Sequence, residues 1–102
     1  MSSLSQFDYE TVAASQTAQV LGVSGATGDW LQRVVITPAV VACGVVTILD
    51  GSTAVISFVG GGTTALDDVK PFAIEIGAKS NTGAWKITTG ANVSVMAIGD
   101  FS

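Results

Sequence analysis

An Asp-Gly step at positions 50 and 51 stands between two segments rich in Val, Ile and Thr, Val45–Leu49 and Thr53–Val59. Asp-Gly between β-branched runs is a strong short-range signal for a β-hairpin, because Gly accepts the positive φ that a tight turn between twisted strands requires. The hairpin lies in the most apolar part of the chain, Trp30 to Phe58, where only Arg33 and Asp50 carry charge. In the second arm Ala54, Ile56 and Phe58 share one face and Val55 and Ser57 the other. Both faces of the first arm are largely apolar, as in a central strand or one whose outer face is covered by a partner.

The rest of the chain reads as further strands. Ser15–Val23 is a short one, followed by a turn region with Gly22, Gly25 and Gly28. Trp30–Thr37 is the next, ended or placed at a sheet edge by Pro38. Gly60, Gly61 and Gly62 open the loosest loop, which leads into Ala65–Val69, a segment of turn or helical character. In Lys70–Lys79, Phe72, Ile74, Ile76 and Ala78 alternate with Ala73, Glu75, Gly77 and Lys79, giving one core face and one polar face. Trp85–Thr88 points Trp85 and Ile87 inward and Lys86 outward, and Val93–Ile98 sets Val93, Val95 and Ala97 against Ser94, Met96 and Ile98. Seven or eight short strands between Gly-containing turns predict an all-β fold, an antiparallel β-sandwich or small barrel over residues 15–102. Residues 1–14 form a polar N-terminal segment in which Phe7 and Tyr9, two positions apart, fall on one side of an extended chain. It reads either as a partly ordered terminus or as an arm that docks both rings on a neighbouring subunit.

Length and composition bound the function. A chain of 102 residues makes one domain with a modest core. Its charged fraction, 12%, is about half the usual share. Much of the surface must therefore be Ser, Thr, Gly, Ala and apolar groups, which marks contact with other chains. The net charge is −4, and the four basic residues, Arg33, Lys70, Lys79 and Lys86, are dispersed, so no nucleic-acid partner is expected. The apolar run Val34–Leu49 is broken by Pro38 and Gly44 and is too short for a membrane span. The first ten residues lack the basic and apolar regions of a secretory signal. Cys43 is the sole cysteine, which excludes an intramolecular disulfide and suits a small buried residue made in a reducing cytosol.

Chemistry-bearing patterns are few. Histidine is absent, removing the usual general base near neutral pH and the commonest metal ligand, and Cys43 has no partner to activate it. The Gly22–Gly28 loop lacks the Gly-Lys-Ser/Thr of a phosphate cradle. Asp67 and Asp68 have no further ligands nearby and read as a solvated loop. Asp29, Asp50 and Glu75 could still meet in space as paired carboxylates. The expectation is a non-enzyme with no catalytic residue, metal site or cofactor.

Two stretches carry a resemblance. Val12-Ala13-Ala14-Ser15-Gln16-Thr17-Ala18-Gln19-Val20-Leu21-Gly22, then Gly25-Ala26-Thr27-Gly28-Asp29-Trp30-Leu31, is one. The other is Gly83-Ala84-Trp85-Lys86-Ile87-Thr88-Thr89-Gly90 with Val93-Ser94-Val95. Together they resemble small virion structural proteins of tailed bacteriophages, among which size and composition are most like a capsid decoration (cement) protein. The resemblance implies a jelly-roll-like sandwich on the outside of the head, bound to the major capsid protein, often as a dimer or trimer, and made in the host cytoplasm. The candidate contact residues are Phe7 and Tyr9, then Trp30 and the loop of Gly60, Gly61 and Gly62. The alternatives are a carbohydrate- or receptor-binding module of a tail fibre, and another head or tail subunit.

Overall fold

The computed structural model describes residues 8–38, 44–58 and 72–102. They form eight strands: β1 (Asp8–Val12), β2 (Gln19–Val20), β3 (Trp30–Pro38), β4 (Val46–Asp50), β5 (Thr53–Phe58), β6 (Phe72–Lys79), β7 (Trp85–Thr89) and β8 (Val93–Asp100). The strands lie in two antiparallel sheets of order β1-β8-β3-β6 and β2-β7-β4-β5. The pairs β1–β8, β2–β7, β3–β6 and β4–β5 are nested around the β4–β5 turn. The chain is thus one long hairpin, folded back at Gly51, the midpoint of 102 residues, and rolled up so that β8 also joins β3 and β7 joins β4. That strand order is an eight-stranded jelly roll, and the β-sandwich read from the sequence holds.

The turn sits one residue further on than the Asp-Gly signal suggests. Asp50 pairs with Thr53, so Gly51 and Ser52 form the loop, with Gly51 at φ 65°. Positive φ at the first central residue alone is the type II′ pattern, for which Gly is the favoured residue. A register shift between Ile48 and Leu49 makes Val55 an extra residue on β5. The alternation expected through Ala54, Ile56 and Phe58 therefore breaks, leaving Ala54 exposed and Ile56 partly buried.

A second irregularity tunes β3. Gln32 is an extra residue relative to β8, and Ile76 and Gly77 together oppose it on β6, with Gly77 at φ 61°. A bulge reverses the in–out parity of a strand. Here it lets Leu31 enter the core alongside Val34 and Ile36, three and five residues on. Between the sheets those side chains meet Val12 of β1, Val93, Val95 and Ala97 of β8, Val46 and Ile48 of β4, and Trp85 and Ile87 of β7, all at most 3% exposed. Leu21 closes the core from the loop after β2. Each such aliphatic side chain contributes about 1.5–3 kcal/mol on burial. The inward alternation of Ile74, Ile76 and Ala78 on β6 agrees with the sequence reading, and these residues pack at the margin of the core.

Two expectations change. The strand read over Ser15–Val23 shrinks to Gln19–Val20, because Ser15 (φ 62°) and Ala18 (φ 48°) turn the backbone out of the extended region. Within the expected arm of residues 1–14, Asp8–Val12 pair with β8 of their own chain and bury Val12. Phe7, Cys43, Gly60, Gly61, Gly62, Asp67, Asp68 and Lys70 lie outside the described residues.

Candidate functional site

Of the acidic residues singled out in the sequence, Asp29 and Asp50 each bind loop donors, while Glu75 pairs with Gln32 and Arg33 of β3. The Asp29 carboxylate, 7% exposed, accepts from the backbone N–H of Ala26 (3.0 Å) and Ser102 (3.0 Å) and from the Ser102 hydroxyl (2.8 Å). Its carbonyl accepts from the Trp85 indole N–H (2.9 Å) and the Ser80 N–H (2.9 Å). Asp50 accepts from the N–H groups of Asn81 and Thr82, and its carbonyl from the Thr82 hydroxyl. Burial pushes the Asp50 carboxyl upward in pKa, but the donors of Asn81, Thr82 and Gly83 outweigh it and hold the group below its ordinary value. Glu10 takes the Gln19 amide (2.8 Å) and the Gly22 N–H (2.7 Å), linking β1 to the start of the next loop. These arrangements anchor loops to strand ends. Among the described residues, no three Cys, Asp or Glu side chains converge as a metal-binding group.

The outward face of the β1-β8-β3-β6 sheet carries Tyr9 and Trp30. Val12, Val34, Ile36, Val95 and Ala97 point into the core, so their neighbours along each strand point away from it. Register then sets those neighbours in rows across the sheet. One row is Tyr9, Ile98, Arg33 and Glu75, and the next is Thr11, Met96, Val35 and Ala73. Beyond them Ser94 lies beside Thr37, and at the other end Asp100, Trp30 and Lys79 align. Directly paired side chains have Cβ atoms about 4.5–5.5 Å apart, so Val35 and Met96 meet across the strands; with Ile98, two residues along β8, they make a partly buried apolar centre. Tyr9 flanks it, 70% exposed.

A polar chain fixes one end of this face. The Trp30 indole N–H donates to Gln32 Oε1 (2.9 Å), and Gln32 Nε2 donates to Glu75 Oε2 (3.3 Å). Arg33 Nε lies 2.9 Å from Glu75 Oε1, with side chains 45% and 61% exposed. A pair this exposed contributes at most about 1 kcal/mol to stability and serves to orient the groups. The other sheet also shows a mixed surface: Thr47 lies between Ser57 and Thr88, Leu49 between Ala54 and Lys86, and Val55 of β5 is 50% exposed. Its centre is a hydroxyl contact, Thr47 Oγ1 to Ser57 Oγ at 3.1 Å.

Of the contact candidates read from the sequence, Tyr9 and Trp30 come to the same sheet face, on β1 and β3 with β8 between them. The same face also holds Val35, Met96, Ile98, Gln32, Arg33 and Glu75, which the sequence reading does not name as contacts. The signal was in β8, where the face opposite Val93, Val95 and Ala97 bears Met96 and Ile98 rather than the polar residues of a solvated face. No family model, no curated protein and no solved structure matches this chain.

Proposed function

We propose that the chain is a virion structural protein, a capsid decoration (cement) protein that binds the outside of the major capsid protein lattice of a tailed bacteriophage and stabilises the head. The observation that carries this reading is the outward face of the β1-β8-β3-β6 sheet, an apolar centre with a mixed polar rim on a small domain with 12% charged residues. Such a face is suited to being covered by protein. Jelly rolls occur in viral capsid domains and in lectins alike, so the fold does not choose between them. The phage resemblance of residues 12–31 and 83–95 favours the virion. On a shell, each copy would bury apolar area at about 25 cal/mol per Å², offset by association entropy, and repetition over the lattice would multiply modest contacts.

Quantitative mass spectrometry of purified particles tests this. Hundreds of copies per particle, in fixed ratio to the major capsid protein, are expected. A handful of copies would move the protein to the tail or a vertex. One observation favours that second reading, a carbohydrate- or receptor-binding module: Tyr9 is 70% exposed on the face that also holds the Trp30–Gln32–Glu75–Arg33 chain. A glycan array probed with the purified protein separates the two.

A further inference from the structure

We propose that the Asp50–Gly51 step is a modification site, the place where this chain forms isoaspartate, and that the β6–β7 connection holds it closed in the folded protein. The proposal is independent of the capsid reading. Each other aspartate, Asp8, Asp29, Asp67, Asp68 and Asp100, is followed by a residue with a side chain, and so are Asn81 and Asn92. Asp50 alone precedes a glycine, whose nitrogen has no neighbouring Cβ to hinder its attack.

The reaction needs only water. The Gly51 nitrogen attacks Cγ of Asp50 and forms a C–N bond, while the bond from Cγ to one carboxyl oxygen breaks. That oxygen leaves as water, taking the amide proton and a proton delivered to the carboxylate by solvent. The product is a succinimide ring, and water then adds to either of its carbonyls. Opening at the side-chain carbonyl restores aspartate. Opening at the backbone carbonyl gives isoaspartate, whose main chain runs through Cβ. No atom is gained or lost overall, and nothing is oxidised or reduced.

In the folded chain every participant is held by residues 81–84. The Asn81 N–H donates to Asp50 Oδ2 (2.8 Å) and Oδ1 (3.1 Å), and the Thr82 N–H donates to Oδ1 (3.0 Å). The attacking nitrogen is engaged as well, since the Gly51 N–H donates to the Ala84 carbonyl at 2.9 Å. The Asp50 carbonyl, which turns with the peptide plane as the ring closes, accepts from the Thr82 hydroxyl at 2.6 Å. Electrophile, nucleophile and the plane between them thus have separate partners, and Asp50 is only 7% exposed. Ring closure requires the two reacting atoms in near-attack geometry, which these bonds forbid until the connection lets go.

The step also lies where modification does most to the fold. Gly51 and Ser52 are the whole loop between β4 and β5, and Asp50 pairs with both Thr53 and Trp85. A carbon added to the main chain is incompatible with the register of so short a turn. It also moves the free carboxylate onto Cα, away from the Asn81 and Thr82 donors. Isoaspartate formed during an opening therefore keeps the tip from closing again.

Incubation of the full chain at neutral pH in heavy-oxygen water tests the proposal, with a synthetic peptide of residues 47–55 alongside. Peptide mapping with electron-transfer fragmentation distinguishes isoaspartate from aspartate and finds the oxygen taken up on ring opening. In urea the unfolded chain should react first at Asp50. In native buffer Asp50 should react at least about tenfold more slowly than in the peptide. Thr82→Val removes the hydroxyl bond to the Asp50 carbonyl but keeps both N–H donors, and should raise the native rate about threefold to tenfold. Should that variant fail to fold by circular dichroism, hydrogen exchange at Asn81 and Thr82 of the wild type reads the same opening. Exchange and isomerisation should then rise together in sub-denaturing urea. Isomerisation of the native chain at the peptide's rate, an earlier reaction at another Asp or Asn of the unfolded chain, or a native rate unchanged by Thr82→Val overturns the proposal. Exchange and isomerisation rates that diverge overturn it too.

Discussion

The backbone N–H of Asn81 lies 2.8 Å from Oδ2 and 3.1 Å from Oδ1 of Asp50, 31 residues earlier in the chain. This contact ties the tip of the central hairpin to the β6–β7 connection, and Gly51 beside it comes too close to Thr82 to carry a side chain. The donors depress the folded-state pKa of Asp50 below its ordinary value of 3.8. The stability it supplies is therefore fully present above the unfolded-state pKa and is lost as pH falls through the lower folded value. Asp50→Ala is expected to lower the thermal midpoint at neutral pH and to remove this step from the acid limb. Thermal melts of both proteins from neutral to strongly acidic pH check this; curves that fall in parallel would count against it.

Asp29 performs the same service for the C-terminal segment. Its carboxylate holds the N–H and hydroxyl of Ser102, whose carbonyl in turn accepts from Ser24 (3.1 Å) and Gly25 (3.0 Å). Asp29→Ala leaves the Ala26 and Ser102 donors unpaired and is expected to cost about 1–3 kcal/mol in denaturant unfolding. Ser102→Ala removes only the hydroxyl bond and should cost less. Hydrogen exchange should show the loss confined at first to residues 22–29 and 101–102.

How much of this could be read in advance depended on how strongly each strand touches the core. β6, β7 and β8 alternate cleanly, and Ile74, Trp85, Ile87, Val93 and Val95 point where their pattern places them. β1 is an edge strand with one buried residue, Val12, so its sequence shows no apolar period and looks like an arm. β2 has only two residues between positive-φ positions, too few for a pattern. The bulge at Gln32 is set by pairing with β8, sixty residues away and more, and no local residue announces it. The outward face was half legible: Tyr9 and Trp30 attract attention as aromatics, but only register brings Val35, Met96 and Ile98 together.

At the opposite end of the sandwich the two backbones of Gly44 and Gly90 touch. A Cβ on Gly44 would lie 2.7 Å from the Gly90 Cα and 2.8 Å from the Ala91 nitrogen, and one on Gly90 would lie 2.7 Å from the Gly44 Cα. Both obstacles are backbone and cannot swing aside. Gly44→Ala and Gly90→Ala are each expected to destabilise the fold by about 1–3 kcal/mol or more, with loss of the 2.9 Å Gly44 N–H to Ala91 carbonyl bond. Gly77→Ala meets no atom within 4 Å and bears only the strain of φ 61°, about 1–2 kcal/mol. Equilibrium urea unfolding of the three variants gives the order directly.

Removing residues 1–12 deletes all of β1, exposes the backbone of β8 and strips Val12 from the core. The Val12 side chain alone contributes about 1.5–3 kcal/mol, and each lost ladder bond about 0.5–1.5 kcal/mol. The truncated protein is therefore expected to be several kcal/mol less stable, with a lowered urea midpoint. Any failure of it to bind a partner would report a damaged sheet. Tyr9→Ala separates the effects, because the ring is 70% exposed and its backbone pairing with Ile98 survives the substitution. That variant should keep the wild-type midpoint within about 0.5 kcal/mol while weakening whatever covers the face. A large stability loss in Tyr9→Ala would mean that the ring braces β1 against β8, and contact with a partner would then have to be tested at Met96 and Ile98 instead.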